Sequence, residues 1–228
     1  MVYRSQHLRR HELDYDRYNF VKRLMSAILA GEPFGYFDEM ALHSFLTYKK
    51  AWSYADSAVV CPVNSGSRLK VSVYGTISNV LHLPLLDFKY DATNAVDALA
   101  YFKKLKAAIA GVTDRKLHLV LDNHTAHKSK LHGTKKYLEE NFILHWMPPG
   151  SPELNSIEHY WGSYKCRFRK QLQTNPDMKW TQAYFENKVR CVGESFKPEE
   201  SQNFLRANHA AMLQLLERFG ADEDNMSE

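Results

Sequence analysis

The sequence has few cysteines and no long apolar segment. Its three cysteines, Cys61, Cys166 and Cys191, are widely spaced and form no CxxC pair, so neither a disulfide framework nor a zinc-cysteine site is predicted. No stretch approaches the roughly 18 consecutive apolar residues of a membrane span, and the N-terminal residues lack the apolar core of a signal peptide. We therefore expect an intracellular protein from a reducing compartment, with no membrane partner.

The chain also lacks internal repeats, low-complexity linkers and a strong excess of either charge. Its net charge of +4 mildly favours a polyanionic partner but also fits many enzymes that have none. With 228 residues, of which 44% are hydrophobic, the chain is long enough for one sizeable core. These values indicate a compact globular protein, with disorder expected only at its ends.

Hydrophobic periodicity predicts a lead helix, ended by Gly31 and Pro33, and then strands and helices in the order βββαβαβα. The second and third strands form an antiparallel pair that turns near Ser78 and Asn79, and Gly111 closes the helix after them. The strand "KLHLVLD", a helix over about 128–140 and the strand "FILHWM" come next. This order predicts an α/β fold with a mixed central sheet flanked by helices. We expect four regions: a helical lead at 1–33, a core at 34–172, C-terminal helices at 173–220 and an acidic tail at 221–228.

The stretch "MPPGSPELNSIEHYWGSYK" predicts a stiff turn that leads into a helix. Ser151 suits an N-cap and Pro152 suits the first helical position. An apolar stripe at helical spacing predicts packing on the sheet, and it comprises Leu154, Ile157, Trp161, Tyr164 and Phe168. Glu158 lies beside this stripe. Lys165 and Arg169 follow on roughly the same face, where they could contact a phosphate backbone.

Two more acids are predicted at strand ends, where open α/β sheets place their ligand crevices: Asp38 closes "FGYFDEM" and Asp122 closes "KLHLVLD". If the two strands are neighbours, these acids and Glu158 can converge into an oxygen-rich pocket that suits Mg²⁺ or Mn²⁺. An isolated Asp at a strand end is more often a turn or cap residue, so the pattern alone leaves both interpretations open. His124, His127 and His159 form no convincing zinc ligand set, and we expect His127 to orient or contact a phosphate.

Two segments carry a specific resemblance. "LVLDNHTAHKSK", followed by "FILHWMPPGSPELNSIEHYWGSYK", resembles the catalytic core of the DDE transposases of the mariner superfamily, and is closest to their bacterial insertion-sequence branch. The resemblance covers about 34–170. The matching positions are Asp38 in "YFDE", Trp52, Asp122-Asn123, His127-Lys128, Pro148-Pro149, residues 151–155, Ile157-Glu158 and Trp161.

This resemblance implies a ribonuclease-H-like fold and a catalytic triad, Asp38, Asp122 and Glu158, that also holds two Mg²⁺ (or Mn²⁺) ions. It implies DNA cutting followed by strand transfer. The partners would be double-stranded DNA, as transposon ends and target, and a second copy or a partner protein that supplies sequence recognition. The location would be the cytoplasm or nucleoid of a bacterium or the nucleus of a eukaryote. The expected supporting residues are Asn123, His127, Asn155 and Trp161, and the expected DNA-binding residues are Lys128, Lys130, Lys165, Arg167 and Arg169.

The sequence departs from the family pattern at Glu153, Gly150 and Ser156, where Asp, Tyr and Pro are usual, and none of these changes removes a ligand. Family members usually carry helix-turn-helix modules ahead of the core, whereas only about 33 residues precede it here. Three interpretations follow: a transposase catalytic domain, a domesticated subunit of a larger assembly with little or no cleavage, and a structure-selective or RNA-cleaving nuclease. The intact triad favours the first, and the proline-rich motif argues against the third.

Overall fold

The computed structural model describes residues 2–44, 46, 69–90, 94–123, 133–173 and 181–226. The elements are the helix α1 (Val2–Leu29), the strands β1 (Phe34–His43), β2 (Lys70–Ser78) and β3 (Leu85–Lys89), α2 (Ala95–Ala110), β4 (His118–Leu121), α3 (Thr134–Asn141), β5 (Ile143–Trp146), a 3₁₀ turn (Pro152–Leu154), α4 (Ile157–Gln173), α5 (Gln182–Glu194) and α6 (Pro198–Met226). The order βββαβαβα is confirmed, behind the lead helix and ahead of two further helices.

Several predicted boundaries are wrong. The strand β1 continues three residues past Met40 to His43, whereas the lead helix, Val2–Leu29, lies within the expected helical region 1–33. The last helix runs to Met226, so most of the acidic tail is helical. In both long helices the polar ends extend beyond the apolar pattern, because residues such as Arg, Gln and Glu favour helix without needing burial. Of the helix predicted over 128–140, the structure describes the part from Thr134 onward; residues 128–132 lie outside the described residues.

The five strands form one mixed sheet in the order β3-β2-β1-β4-β5. β2 pairs antiparallel with both β1 and β3, which confirms the predicted hairpin. β4 pairs parallel with β1 and with β5. β1 is therefore the central strand, and β4, which carries the second acid, is its direct neighbour.

Successive side chains of a strand point to opposite faces of the sheet, so the core is divided between these two faces. Tyr36 and Met40 of β1 pack with α1, α4, α5 and α6 on one face, while Phe37 packs with α2 and α3 on the other. All five members of the predicted α4 stripe are buried on the first face. Across the described ranges, no helix combines the length and the apolar character needed to cross a membrane.

Candidate active site

Asp38 lies in the middle of β1 rather than at its end, which corrects the expected strand boundary. β1 pairs with β2 along its whole length, Asp38 being opposite Gly75, so the strand continues past the acid. On its other side, β1 pairs with β4 only as far as Tyr36, which is opposite Val120. Continuing that register by two residues sets Asp38 level with Asp122. The first acid thus lies where the neighbouring strand stops and the sheet opens.

Asp122 and Asn123 follow the last residue of β4. Asp122 is half-buried, and the Asn123 side-chain amide donates to the backbone carbonyl of Met147 at 2.6 Å. Because Met147 directly follows β5, this bond ties together the ends of two parallel strands. Asn123 therefore braces the edge of the sheet at which Asp122 is placed.

The turn before α4 differs from the prediction. Ser151 and Pro152 begin a 3₁₀ turn, and α4 begins only at Ile157. The Ser151 side chain makes no capping bond to this turn and instead accepts a hydrogen bond from Arg17 Nε at 2.8 Å. Asn155, which separates the 3₁₀ turn from α4, is buried and donates to the Phe37 carbonyl at 3.4 Å. The turn is thus attached to β1 through the residue next to Asp38.

Glu158 is the second residue of α4 and lies on its exposed side. It lines one cavity of about 310 Å³ together with Asp38 and Asp122. Asn123, Asn155 and residues 147–152 complete the lining. The structure therefore brings the three predicted acids to one open cavity at the end of β4.

The charges in this cavity act on one another. The pKa of Asp38 is raised to about 7, first by burial and then by the negative charges of Glu158, Asp122 and Glu39, although the backbone N–H of Glu39 lowers it. Trp161 Nε1 donates to Asp38 Oδ2 at 3.1 Å. A pKa that is shifted by burial and by nearby charges in a cleft is typical of functional sites.

Gly75 is a residue that the sequence reasoning missed. A methyl group there would lie 2.4 Å from Cη2 and 2.6 Å from Cζ2 of Trp161. Since Gly75 pairs with Asp38 across the sheet, its missing side chain lets the indole lie against β2 and reach the Asp38 carboxylate. A glycine inside a strand is the available sequence signal, because it often marks a close approach.

Arg17 of α1 is a second missed residue. Its guanidinium donates to the Gly150 carbonyl at 3.0 Å in addition to the Ser151 hydroxyl, and it lies 3.6 Å from a carboxylate oxygen of Glu153. The φ of Gly150 is +64°, a left-handed conformation that suits glycine in place of the family's usual Tyr. The lead helix therefore holds one wall of the acidic cavity. No local pattern near Arg17 indicated this contact.

The donor atoms in the cavity suit a hard divalent cation. Three carboxylates supply negative oxygens, and Asn155 Oδ1 is a buried acceptor without a hydrogen-bond partner. Within the described ranges, no three His, Cys, Asp or Glu side chains are already close enough together to hold a metal ion. The residues thus fit a metal in their chemistry, and Glu158, which is exposed, has room to move toward such an ion.

The predicted DNA-binding residues separate into three groups. Arg167 turns away from the cavity: it donates to the Ser195 carbonyl at 2.9 Å, pairs with Glu200 and stacks 3.9 Å from the centroid of the Phe196 ring. These contacts argue against the predicted phosphate contact. Lys165 and Arg169 follow Glu158 at seven and eleven residues along α4 and are half-buried. The third group, Lys128 and Lys130, lies outside the described residues. The same holds for the supporting residue His127 and for Trp52, a position that matches the family pattern.

Comparisons with known proteins identify a matching family. The family model described as DDE superfamily endonuclease matches residues 33–179. The search of curated proteins found no significant match.

Solved structures of Mos1 transposase share the fold. The mariner Mos1 paired-end complex with Mg aligns with a TM-score of 0.67 at 13% identity, covering 91% of this chain and 62% of that chain. The Mos1 strand transfer complex aligns with a TM-score of 0.64 at 14% identity, covering 91% of this chain and 61% of that one. The Mos1 catalytic domain alone aligns with a TM-score of 0.56 at 13% identity. This alignment covers 89% of this chain and 91% of that one. The predicted ribonuclease-H-like fold is confirmed, and this chain spans about 62% of the chains in the paired-end complexes.

Proposed function

The chain belongs to the DDE superfamily endonucleases, and from this premise we propose that it is the metal-dependent catalytic domain of a cut-and-paste transposase. Its reaction would cut DNA phosphodiester bonds and then transfer the freed strand to a target. The observation that carries the proposal is the meeting of Asp38, Asp122 and Glu158 at one cavity. The bacterial insertion-sequence branch and an intracellular location remain predictions.

Two Mg²⁺ (or Mn²⁺) ions would be held by the carboxylates of Asp38, Asp122 and Glu158. Such ions activate a water molecule and stabilise the leaving oxygen in phosphodiester cleavage. The buried Asn155 Oδ1 offers an additional oxygen at the same cavity. The pKa of about 7 at Asp38 describes the protein without metal, so cation binding must displace a proton from this carboxyl near neutral pH.

The other residues of the cavity position these ligands. Trp161 Nε1 donates to one oxygen of Asp38 and restricts how its carboxylate can turn. Asn123 fixes the segment that carries Asp122 by donating to the Met147 carbonyl. Lys165 and Arg169, along the same helix as Glu158, would contact phosphates beside the scissile bond.

The proposed substrates are duplex transposon ends and a duplex target. The support is that solved Mos1 transposase, with the same fold, forms a paired-end complex with its left transposon end. This chain spans about 62% of that protein. Recognition of specific ends would therefore come from a second copy, a partner protein or a segment outside the aligned part.

A plasmid-nicking assay tests the mechanism. The purified chain is incubated with supercoiled plasmid in Mn²⁺ or Mg²⁺, and parent, Asp122→Asn and Glu158→Gln are compared. We expect the parent to nick and each variant to lose at least about 100-fold in rate, because each substitution removes one ligand charge. A thermal-shift titration with Mn²⁺ provides a readout independent of activity, and the variants should show a reduced stabilisation.

Glu39→Gln is the matched control, since Glu39 follows Asp38 on β1 but points to the opposite face of the sheet. It should nick at nearly the parental rate. Nicking by Asp122→Asn as fast as by the parent would show that the metal-triad mechanism is wrong. A parent that binds Mn²⁺ yet never nicks would instead favour the domesticated, non-cutting subunit.

A further inference from the structure

A second cavity adjoins the acidic one. It is a groove of about 470 Å³ between α1 and the end of β5, a volume typical of small-ligand sites, which span about 300–1,000 Å³. Helix α1 contributes Asn19, Lys22 and Arg23 to its lining, together with one acid, Asp16. The opposite wall is formed by residues 146–148. We name this cavity the α1–β5 groove.

The α1–β5 groove and the acidic cavity share a wall. Asn123, Met147 and Pro148 line both of them. The Asn123 to Met147 hydrogen bond of 2.6 Å braces this shared wall. A chain-like ligand bound at the three carboxylates could therefore extend past this wall into the groove.

The groove is preformed because α1 is anchored at its active-site end. Arg17, one to two turns before the groove cations, donates to the Ser151 hydroxyl and the Gly150 carbonyl. Phe20, Val21 and Leu24 of the same helix are buried in the core. With its inner side packed and Arg17 fixed to the turn, α1 holds Lys22 and Arg23 at a set place beside β5.

The charges of the two cavities are opposite. Three carboxylates line the first, whereas the groove presents two exposed cations, Lys22 and Arg23, against the single acid Asp16. The Lys22 ammonium also lies 5.5 Å from the centroid of the Tyr18 ring, which keeps it along the helix. Two cations beside a wall shared with the acidic cavity suit a strand whose phosphates pair with them as it extends from the carboxylates.

We propose that the α1–β5 groove binds an unpaired DNA strand that continues from the scissile bond. Lys22 and Arg23 contact its phosphates, and Asn19 offers a polar contact. The cavity volume of about 470 Å³ suits a short part of one strand rather than a whole duplex. This inference rests on the proposed function, and it assigns to the lead helix a part of the substrate site.

A binding titration without metal tests the groove. Fluorescence anisotropy is measured in EDTA at low salt, with the full chain and a labelled single-stranded oligonucleotide of about 12 nucleotides, within the size range of single-strand sites. The variant Lys22→Glu/Arg23→Glu should bind about tenfold or more weakly than the parent. The control, Lys103→Glu/Lys106→Glu on α2 at the opposite face of the sheet, changes the net charge equally and should bind within about twofold of the parent.

The outcomes separate this inference from the proposed function. If the groove variant binds the single strand as well as the α2 control does, the groove assignment is wrong, whatever the nicking assay shows. An equal loss on a duplex of the same sequence would also overturn it, because the occupant would not be an unpaired strand. A selective loss supports the groove even if Asp122→Asn still nicks, and circular dichroism with urea unfolding verifies that the variant is folded.

Discussion

At the scale of single residues, the site depends on a contact between Asp38, Trp161 and the absent side chain of Gly75. Trp161 is buried, and its N–H donates to an oxygen of Asp38 at 3.1 Å. The indole can occupy this place only because position 75 carries no Cβ. One glycine on β2 thus supports the orientation of a proposed metal ligand on β1.

The first prediction concerns Gly75→Ala. The new methyl group would meet ring carbons of Trp161 at 2.4–2.6 Å, so the rigid ring must move. We expect the free energy of unfolding to fall by about 1–3 kcal/mol, as for other overpacked cores, and Mn²⁺-dependent nicking to fall about tenfold or more as Asp38 loses its partner. Urea unfolding and the plasmid assay measure the two effects.

Gly162→Ala is the control for Gly75→Ala. It lies next to Trp161 in α4, and a methyl group there would meet no atom within 4 Å. Because alanine favours helix over glycine, this variant should be more stable by about 0.5–1 kcal/mol. Unchanged stability and nicking in Gly75→Ala would contradict the proposed role of the glycine.

The second prediction concerns the pH dependence of the metal-free protein. The pKa of Asp38 is about 7 in the folded chain against an ordinary value of 3.8, so the folded state holds this proton more tightly than the unfolded state. The resulting stabilisation is complete below about pH 4 and is lost as the pH rises through about 7. Relative to Asp38→Asn, the parent should lose up to about 1.4 kcal/mol of unfolding free energy per pH unit across that window.

Urea unfolding in EDTA at a series of pH values measures this difference. Glu139→Gln, a carboxylate change on α3 at the opposite face of the sheet, provides the comparison and should follow the parent. A constant difference between the parent and Asp38→Asn from about pH 4 to pH 8 would show that the pKa of Asp38 is not raised as described.

At the scale of elements, α4 connects the acidic cavity to the C-terminal helices. Its first turn carries Glu158, its middle packs Trp161 and Tyr164 into the core, and its last turns carry Arg167. The Tyr164 hydroxyl donates to the Val189 carbonyl of α5, and Arg167 reaches the start of α6. One helix thus couples the position of a proposed ligand to the packing of α5 and α6.

The third prediction separates two cations of α4. Arg167→Ala removes the bonds to Ser195 and Glu200 and the stacking on Phe196, so the free energy of unfolding should fall by about 1–3 kcal/mol while DNA affinity remains. Lys165→Ala should change stability by less than about 0.5 kcal/mol and reduce the salt dependence of DNA binding by about one phosphate contact.

Urea unfolding and DNA titrations at several salt concentrations distinguish the two variants. Each variant serves as the control for the other, because both remove one positive charge from the same helix. The assignment of Arg167 to the α5–α6 junction is refuted if Arg167→Ala keeps full stability and loses DNA affinity.

At the scale of the whole molecule, the chain combines a core of the DDE endonuclease family with cations that we propose to contact the backbone of DNA. Phosphate contacts position DNA but carry no sequence information directly. The chain also spans about 62% of the Mos1 chains in the paired-end complexes. Sequence recognition is therefore expected from outside the part of the chain that forms the core.

The fourth prediction is that the isolated chain binds DNA with little sequence preference. Two unrelated duplexes of equal length should show affinities within about threefold, and both affinities should fall steeply as salt rises. Anisotropy titrations at two salt concentrations measure this. Strong discrimination between the two duplexes would show that the chain carries a recognition element of its own.

The sequence by itself determined the order of the elements and the buried α4 stripe, and it singled out three acids that the fold brings to one cavity. Hydrophobic periodicity, turn residues and the motif around Glu158 are local patterns, so they can be recognised without knowing which elements pack together. The expected strand end at Asp38 is wrong, because the length of β1 depends on its pairing with β2, a partner that no local pattern specifies.

The tertiary structure alone decided the contacts between distant parts of the chain. Arg17 meets Ser151 across 134 residues, and Trp161 meets Asp38 across 123. Arg167 matched the pattern of a DNA-binding cation, yet the packing of α5 and α6 gives it other partners. Such contacts depend on how helices pack on the sheet, and the free energy of that packing is distributed over the whole core. For this reason the acids could be named from the sequence, whereas the residues that hold them in place could not.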